Sequence, residues 1–221
     1  MQVGNMHYRS EEDLPNEARL FPLSGAFLLP GSVLPLNIFE PRYLELFDDA
    51  LAGDRLVAVV QTNYVTEDAK PVDDLCNVGT LGRIISLAES GDGRYVVSVA
   101  GICRFRIKEE KAVKKPYRVA KICPFVKDLA EPSSEADEYR PQLLAHFMTY
   151  IESNDIEIDT DDYKQLRVPD LVNILSSLVP FDIAEKQALL EADYKTRVET
   201  LVALLDMGYS SDDDETPQTV Q

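Results

Sequence analysis

Residues 20–39 carry no charge over twenty consecutive positions, the length of chain that crosses a bilayer as a helix. Inside that run stand Pro22, Pro30 and Pro35, together with Gly25 and Gly31. Each proline would cost a helix interior about 3 kcal/mol and each glycine about 1. The run is therefore read as short buried strands and turns. Apolar strands are expected at 20–23 and 26–29, punctuated by Ser24-Gly25 and Pro30-Gly31. No membrane span is expected.

Beyond Glu40-Pro41 the pattern changes period. Tyr43, Leu46, Phe47, Ala50 and Leu51 recur at i, i+3, i+4, i+7 and i+8, with Pro41 suited to a first turn and Gly53 to a C-terminal stop. That predicts one amphipathic helix. Residues 56–61 (LVAVVQ) form a continuous apolar strand pattern, and 78–88 and 94–109 read as a hairpin turning through Ser90-Gly91-Asp92-Gly93. In 104–108, alternation would put Phe105 and Ile107 on one face and Arg104, Arg106 and Lys108 on the other, facing solvent. Residues 117–125 supply a further strand.

Residues 127–134 (KDLAEPSS) read as a linker, after which the periodicity is helical. Leu143, Leu144, Phe147, Met148 and Ile151 mark one helix, and Leu171, Ile174, Leu175 and Leu178 mark another that Pro180 ends. Asp182 with Glu185 forms a capping-box pattern ahead of a third, and a last helix is expected from Tyr194 to Met207, stopped by Gly208. The predicted organisation is a flexible terminus (1–16), a β-rich domain (17–126), the linker, helices (135–208) and a disordered acidic tail (209–221).

Charge excludes some partners. The chain carries 22 basic and 39 acidic side chains, a net charge of −17, which opposes nonspecific adhesion to nucleic acid or anionic lipid. The split is uneven, −2 over residues 1–125 and −15 over 126–221. Cys76, Cys103 and Cys123 contain no CxxC pair, so neither a disulfide framework nor a zinc knuckle is encoded. Such cysteine usage suits a reducing cytoplasm, and the polar opening MQVGNMHYRSEEDLP argues against secretion.

Catalytic chemistry has little to stand on. His7 and His146 are the only histidines, and no phosphate-binding loop, GxGxxG or GxSxG occurs. No metal or cofactor is expected. Ser176 and Ser177 near Lys186 read as helix packing or surface residues, not a Ser–Lys nucleophile. Cys103 and Cys123 read as buried and inert in apolar strands, while the carboxylates around Cys76 favour its thiol. One concentration of positive charge, Arg104, Arg106, Lys108, Lys111, Lys114, Lys115 and Arg118, has two readings. Either it is a solvated strand face paired with the acidic helical half, or it is a polyanion-binding patch, disfavoured because no aromatic platform interleaves with the cations on the same face.

Taken together, several segments resemble the N-terminal domain of the Lon ATP-dependent proteases in its stand-alone bacterial form. They are Phe21-Pro22-Leu23, the run from Leu29-Pro30-Gly31-Ser32-Val33-Leu34-Pro35 through Leu36-Asn37-Ile38-Phe39-Glu40-Pro41-Arg42-Tyr43, Val78-Gly79-Thr80, Asp92-Gly93-Arg94-Tyr95, residues 101–107 (GICRFRI) and 186–191 (KQALLE). The similarity covers about residues 17–207. It implies an α+β protein, a PUA-like β-barrel with one amphipathic helix followed by a C-terminal helical bundle. It also implies a non-catalytic module that binds unfolded or tagged polypeptides, an adaptor in protein quality control whose partner is Lon or another protease. Without an ATPase or peptidase region, the chain is expected to be proteolytically silent. An RNA-binding PUA-like protein using 104–118 is the alternative. Contact candidates for a polypeptide are Leu29, Pro30, Val33 and Pro35, with Glu40, Arg42 and Tyr43 at the helix start, because apolar turns whose prolines withhold backbone donors leave side chains to make the contact.

Overall fold

The computed structural model describes residues 1–25, 27–62, 75–130, 134–154 and 165–212, with side chains up to 207. Two short strands open the chain, β1 (Gln2–Val3) and β2 (Met6–His7), and form a hairpin of their own. Six more build one sheet: β3 (Glu17–Pro22), β4 (Val33–Ile38), β5 (Leu56–Val60), β6 (Val78–Glu89), β7 (Tyr95–Lys111) and β8 (Arg118–Pro124). Their order is β4-β7-β6-β5-β3-β8, and β8 also pairs with β7. The long β7 makes this closure possible. Its residues 95–100 pair with β4, and its residues 105–111 pair with β8 on the same edge. Strands β7, β6, β5, β3 and β8 thus close a ring, and β4 extends from it as an edge strand.

Two apolar cores follow from period-two alternation. One lies inside the ring, where Leu20, Leu56, Ala58, Leu81, Ile102, Phe105, Ala120 and Ile122 meet. The other lies against α1 (Pro41–Ala52), whose Tyr43, Leu46, Phe47 and Ala50 pack on Phe21, Leu36, Ile38, Val57, Val59, Val97 and Val99. Phe21 makes edge-on contacts with Tyr43 and Phe47 at 4.8 and 5.5 Å. The predicted helix start and stop agree with the structure: Pro41 is in the first turn and Gly53 follows the last residue. Gly101 admits no larger residue, because a Cβ there would overlap the Leu29 carbonyl.

The chain divides into two compact units, and the division departs from the sequence reading in two places. The first unit takes residues 1–131 and also 182–190. Within it, Val126–Leu129 is a 3-10 turn with Leu129 in the ring core, so the start of the expected linker is packed structure. Helix α4 (Ile183–Glu191) begins at the expected reciprocal cap, Glu185 N–H to Asp182 Oδ1 at 2.7 Å and Asp182 N–H to Glu185 Oε2 at 2.8 Å. It joins the first unit because Gln187 bonds Gln61 at 3.0 Å and the Val78 carbonyl at 3.1 Å, while the Leu190 carbonyl accepts from Arg104 at 3.1 Å.

The second unit contains α2 (Arg140–Ser153), α3 (Val168–Leu178) and α5 (Tyr194–Asp212). Their stripes bury Leu143, Phe147, Ile151, Leu171, Leu175, Val198, Leu201 and Leu205. His146 Nε2 meets Asp206 at 2.9 Å, and Arg140 Nε donates to the Leu166 carbonyl at 3.2 Å. Ile174 is half-buried and Leu178 exposed at the edge of the predicted α3 stripe. Helix α5 continues through Gly208 to Asp212, since a glycine lowers helix stability by only about 1 kcal/mol and does not forbid it. The remainder of the expected disordered tail lies outside the described residues.

The expectation of a loose terminus is also corrected. Val3, Tyr8 and Leu14 are buried in the ring core, each at 7% exposure or less. Residues 27–29 are not a strand: Leu28 and Leu29 are buried in irregular backbone, and Thr80 Oγ1 donates to the Leu28 carbonyl at 2.5 Å. Ala26 lies outside the described residues.

Candidate functional site

Alternation gives β4 two unlike faces. Leu36 and Ile38 enter the α1 core, so Val33, Pro35 and Asn37 point the other way. Strand pairing sets Ala100, Ser98 and Val96 of β7 directly opposite them, and Ser86 and Ala88 of β6 opposite Ser98 and Val96. None of these eight side chains carries a charge. Val33 is 54% exposed and Val96 53%, and at the end of β4 Phe39 is 61% exposed with the Arg94 guanidinium 5.9 Å from its ring centre. Beyond β4 the sheet has no further strand among the described residues, and Pro35 withholds a donor from that edge. An uncharged, mostly apolar patch beside an open strand edge is suited to an extended chain, which brings both side chains and backbone partners.

Sequence-selected residues divide on this surface. Val33 and Pro35 lie on the open face and Pro30 is half-buried beside it in sequence. Leu29 is 1% exposed and Tyr43 8%, so neither presents a contact surface: Leu29 packs in the interior, and Tyr43 is held against Phe21. Burial raises the Tyr43 phenol above its ordinary value. Ser32 fixes the turn, its hydroxyl donating to the Leu29 carbonyl at 2.8 Å and accepting from the Leu29 N–H at 2.9 Å. Glu40 and Arg42 pair with one another at 2.8 Å at the mouth of α1, and Arg42 lies 4.5 Å over the Tyr43 ring. The face also includes Val96, Ser98 and Ala88, which sequence reasoning passed over because only strand register brings them beside β4.

The basic set does not form one patch. Arg104 is 7% exposed, not solvated: Asp128 takes its Nε and Nη2 at 2.8 Å each and its backbone N–H at 2.9 Å. Lys111 pairs with Glu17 at 2.7 Å, Lys115 with Asp49 at 2.7 Å and Glu45 at 3.1 Å, and Arg118 with Glu110. All five of these carboxylates belong to the first unit. Arg106, Lys108 and Lys114 are exposed, with no ion pair among the described residues. Arg106 sits 5.9 Å from the Phe125 ring centre.

Cys103 is buried, and burial with the nearby Asp128 pushes its thiol up to about 12, which suppresses nucleophilicity. Cys123, in contrast to the sequence reading, is exposed, because alternation in β8 turns Ile122 inward and Cys123 out. Among the described residues no helix is long and apolar enough to cross a membrane.

Comparison with known proteins sets this geometry in a family. The model of the ATP-dependent protease La (LON) substrate-binding domain matches residues 17–207. Lon protease 2 of Myxococcus xanthus is 28% identical over 205 residues, covering 89% of this chain and 24% of that protein. The Lon protease of Flavobacterium johnsoniae is 30% identical over 190 residues, covering 82% and 22%. The chain thus spans about a quarter of the length of the curated relatives it matches. Two solved structures share the fold. A Lon N-terminal domain protein from Xanthomonas campestris has a TM-score of 0.60 at 24% identity, covering 85% of this chain and 97% of that one. The N-terminal domain of a Mycobacterium avium complex Lon protease has a TM-score of 0.65 at 19%, covering 86% and 98%. With a match that runs from the first residue of β3 into α5, the chain belongs to the family of Lon substrate-binding domains.

Proposed function

We propose that this chain is a non-catalytic polypeptide-binding module whose contact surface is the open face of β4, β7 and β6. The observation that carries the reading is the uncharged group Val33, Pro35, Val96 and Ala88, exposed beside a strand edge that no further strand among the described residues pairs. An extended segment would lay apolar side chains on that row and exchange backbone hydrogen bonds with the β4 edge. Membership of a substrate-binding family supports the same reading. In the finer description, the first unit is a PUA-like barrel and the second a helical bundle. The module acts in the cytoplasm as an adaptor in quality control, delivering unfolded or tagged chains to Lon or another protease.

Fluorescence anisotropy of labelled β-casein tests the reading. Val33→Asp puts a charge on the face at a position that is already solvated, so folding should survive while binding weakens at least tenfold. Casein binding unchanged by that variant would remove the proposed surface.

A further inference from the structure

We infer that residues 1–14 are the resident occupant of a second polypeptide seat, which adjoins the open face and which a client chain can enter by displacing them. The inference rests on the reading of the open face as polypeptide-binding. Register supplies the continuity: Val33 pairs with Ala100, Ala100 with Arg83, and Arg83 with Leu56, one row across four strands. Exposure falls along it from 54% at Val33 to 8% at Ala100, 9% at Arg83 and 5% at Leu56. The row passes from open surface into the ring core that Val3, Tyr8 and Leu14 share.

The cover is thin. Among the described residues strands β1 and β2 pair only with each other, outside the six-stranded sheet, and the family match begins beyond them at residue 17. Among the described residues, the hydrogen bonds that tie this segment to the rest of the first unit are few: the Met1 ammonium donates to the Leu129 carbonyl at 2.8 Å, and Arg83 donates to Tyr8 Oη at 3.3 Å and Asn5 Oδ1 at 3.4 Å. The remaining Arg83 bond goes to the Asp54 carbonyl at 2.9 Å. Arg83 is thus a buried cation whose described partners are all neutral oxygens, although buried guanidinium groups are better satisfied by a carboxylate. A client segment with apolar side chains flanking an Asp or Glu would fill the places of Val3, Tyr8 and Leu14 and offer Arg83 the charge that Tyr8 and Asn5 do not.

The test uses the full chain, fluorescein-labelled β-casein, and a labelled synthetic peptide of residues 1–16. Val3→Ser with Tyr8→Ser loosens the occupant and leaves the barrel strands intact. Apparent affinity scales with the fraction of seat left open. The folded variant should bind casein at least tenfold more tightly than the parent and bind the peptide saturably, with unlabelled peptide competing for the gained casein binding. A folded variant without that gain, or a gain the peptide does not compete away, would overturn the inference. Should the variant not fold, hydrogen exchange in the parent decides: amides in 2–14 should exchange faster when casein is added, and unchanged or slower exchange refutes the displacement. Casein binding that Val33→Asp abolishes, without a gain in the loosened variant, would sink this inference and leave the open-face reading standing.

Discussion

Asp128→Ala should be among the most damaging single changes in the first unit. The Asp128 carboxylate accepts from Arg104 Nε, Nη2 and backbone N–H, and the two side chains are only 11% and 8% exposed. Deleting it removes all three of these hydrogen bonds from a guanidinium that cannot shed its proton and that also donates to the Leu190 carbonyl and lies 5.0 Å from the Phe125 ring centre. Breaking a buried pair from one side costs about 3–5 kcal/mol. With a urea slope of ~2 kcal/mol per molar, the unfolding midpoint should fall by about 1.5–2.5 M. Circular dichroism in the strand region follows the transition. Replacing both partners, Arg104→Met with Asp128→Leu, should recover most of the loss, because the two desolvated charges are then removed together. An Asp128→Ala shift smaller than about 0.5 kcal/mol, the range of a bland surface change, would refute the reasoning.

Leu29→Ala should cost about 2–5 kcal/mol, since it empties a buried site, whereas Val33→Ala on the neighbouring strand should stay within about 0.5 kcal/mol; equal effects in chemical denaturation would contradict the assignment of faces. Acid stability should depend on Asp49, whose carboxyl is held below its ordinary 3.8 by hydrogen bonds from Lys115 and Tyr117. A lowered folded value means stability present above the unfolded value and lost as pH falls through the folded one, so Asp49→Asn should flatten the decline of the thermal midpoint below pH about 4. Parallel acid limbs for parent and variant would show that the pair contributes nothing to it.

Local signals were legible where neighbours in sequence are neighbours in space. The i, i+3, i+4 stripe of α1, the unbroken apolar run of β5, the Gly-rich turn between β6 and β7 and the Asp182–Glu185 cap all act within a few residues. What escaped was set by long-range pairing. Alternation put Arg104 in solvent, but its partner lies 24 residues on, in a stretch whose Pro and Ser read as linker. The terminus looked polar because Val3, Tyr8 and Leu14 are too widely spaced to form a pattern, and only the ring core gives them a common destination. The candidate face was half legible: Val33 and Pro35 belong to the family-like opening motif, whereas Val96 joins them only through its register with Asn37.

That register makes Val96→Asp the most direct test of the central claim. Val96 lies 53% exposed on β7, outside the charge-free opening run, and enters the proposed contact only if the structure places it beside β4. Casein anisotropy on Val96→Asp, with Lys108→Glu as an exposed control elsewhere on the same strand and thermal midpoints recorded for both, compares the two sites. The account predicts at least a tenfold loss of affinity for Val96→Asp, little change for Lys108→Glu, and unchanged midpoints. Parental affinity in a folded Val96→Asp variant, or a larger loss from Lys108→Glu, would contradict it.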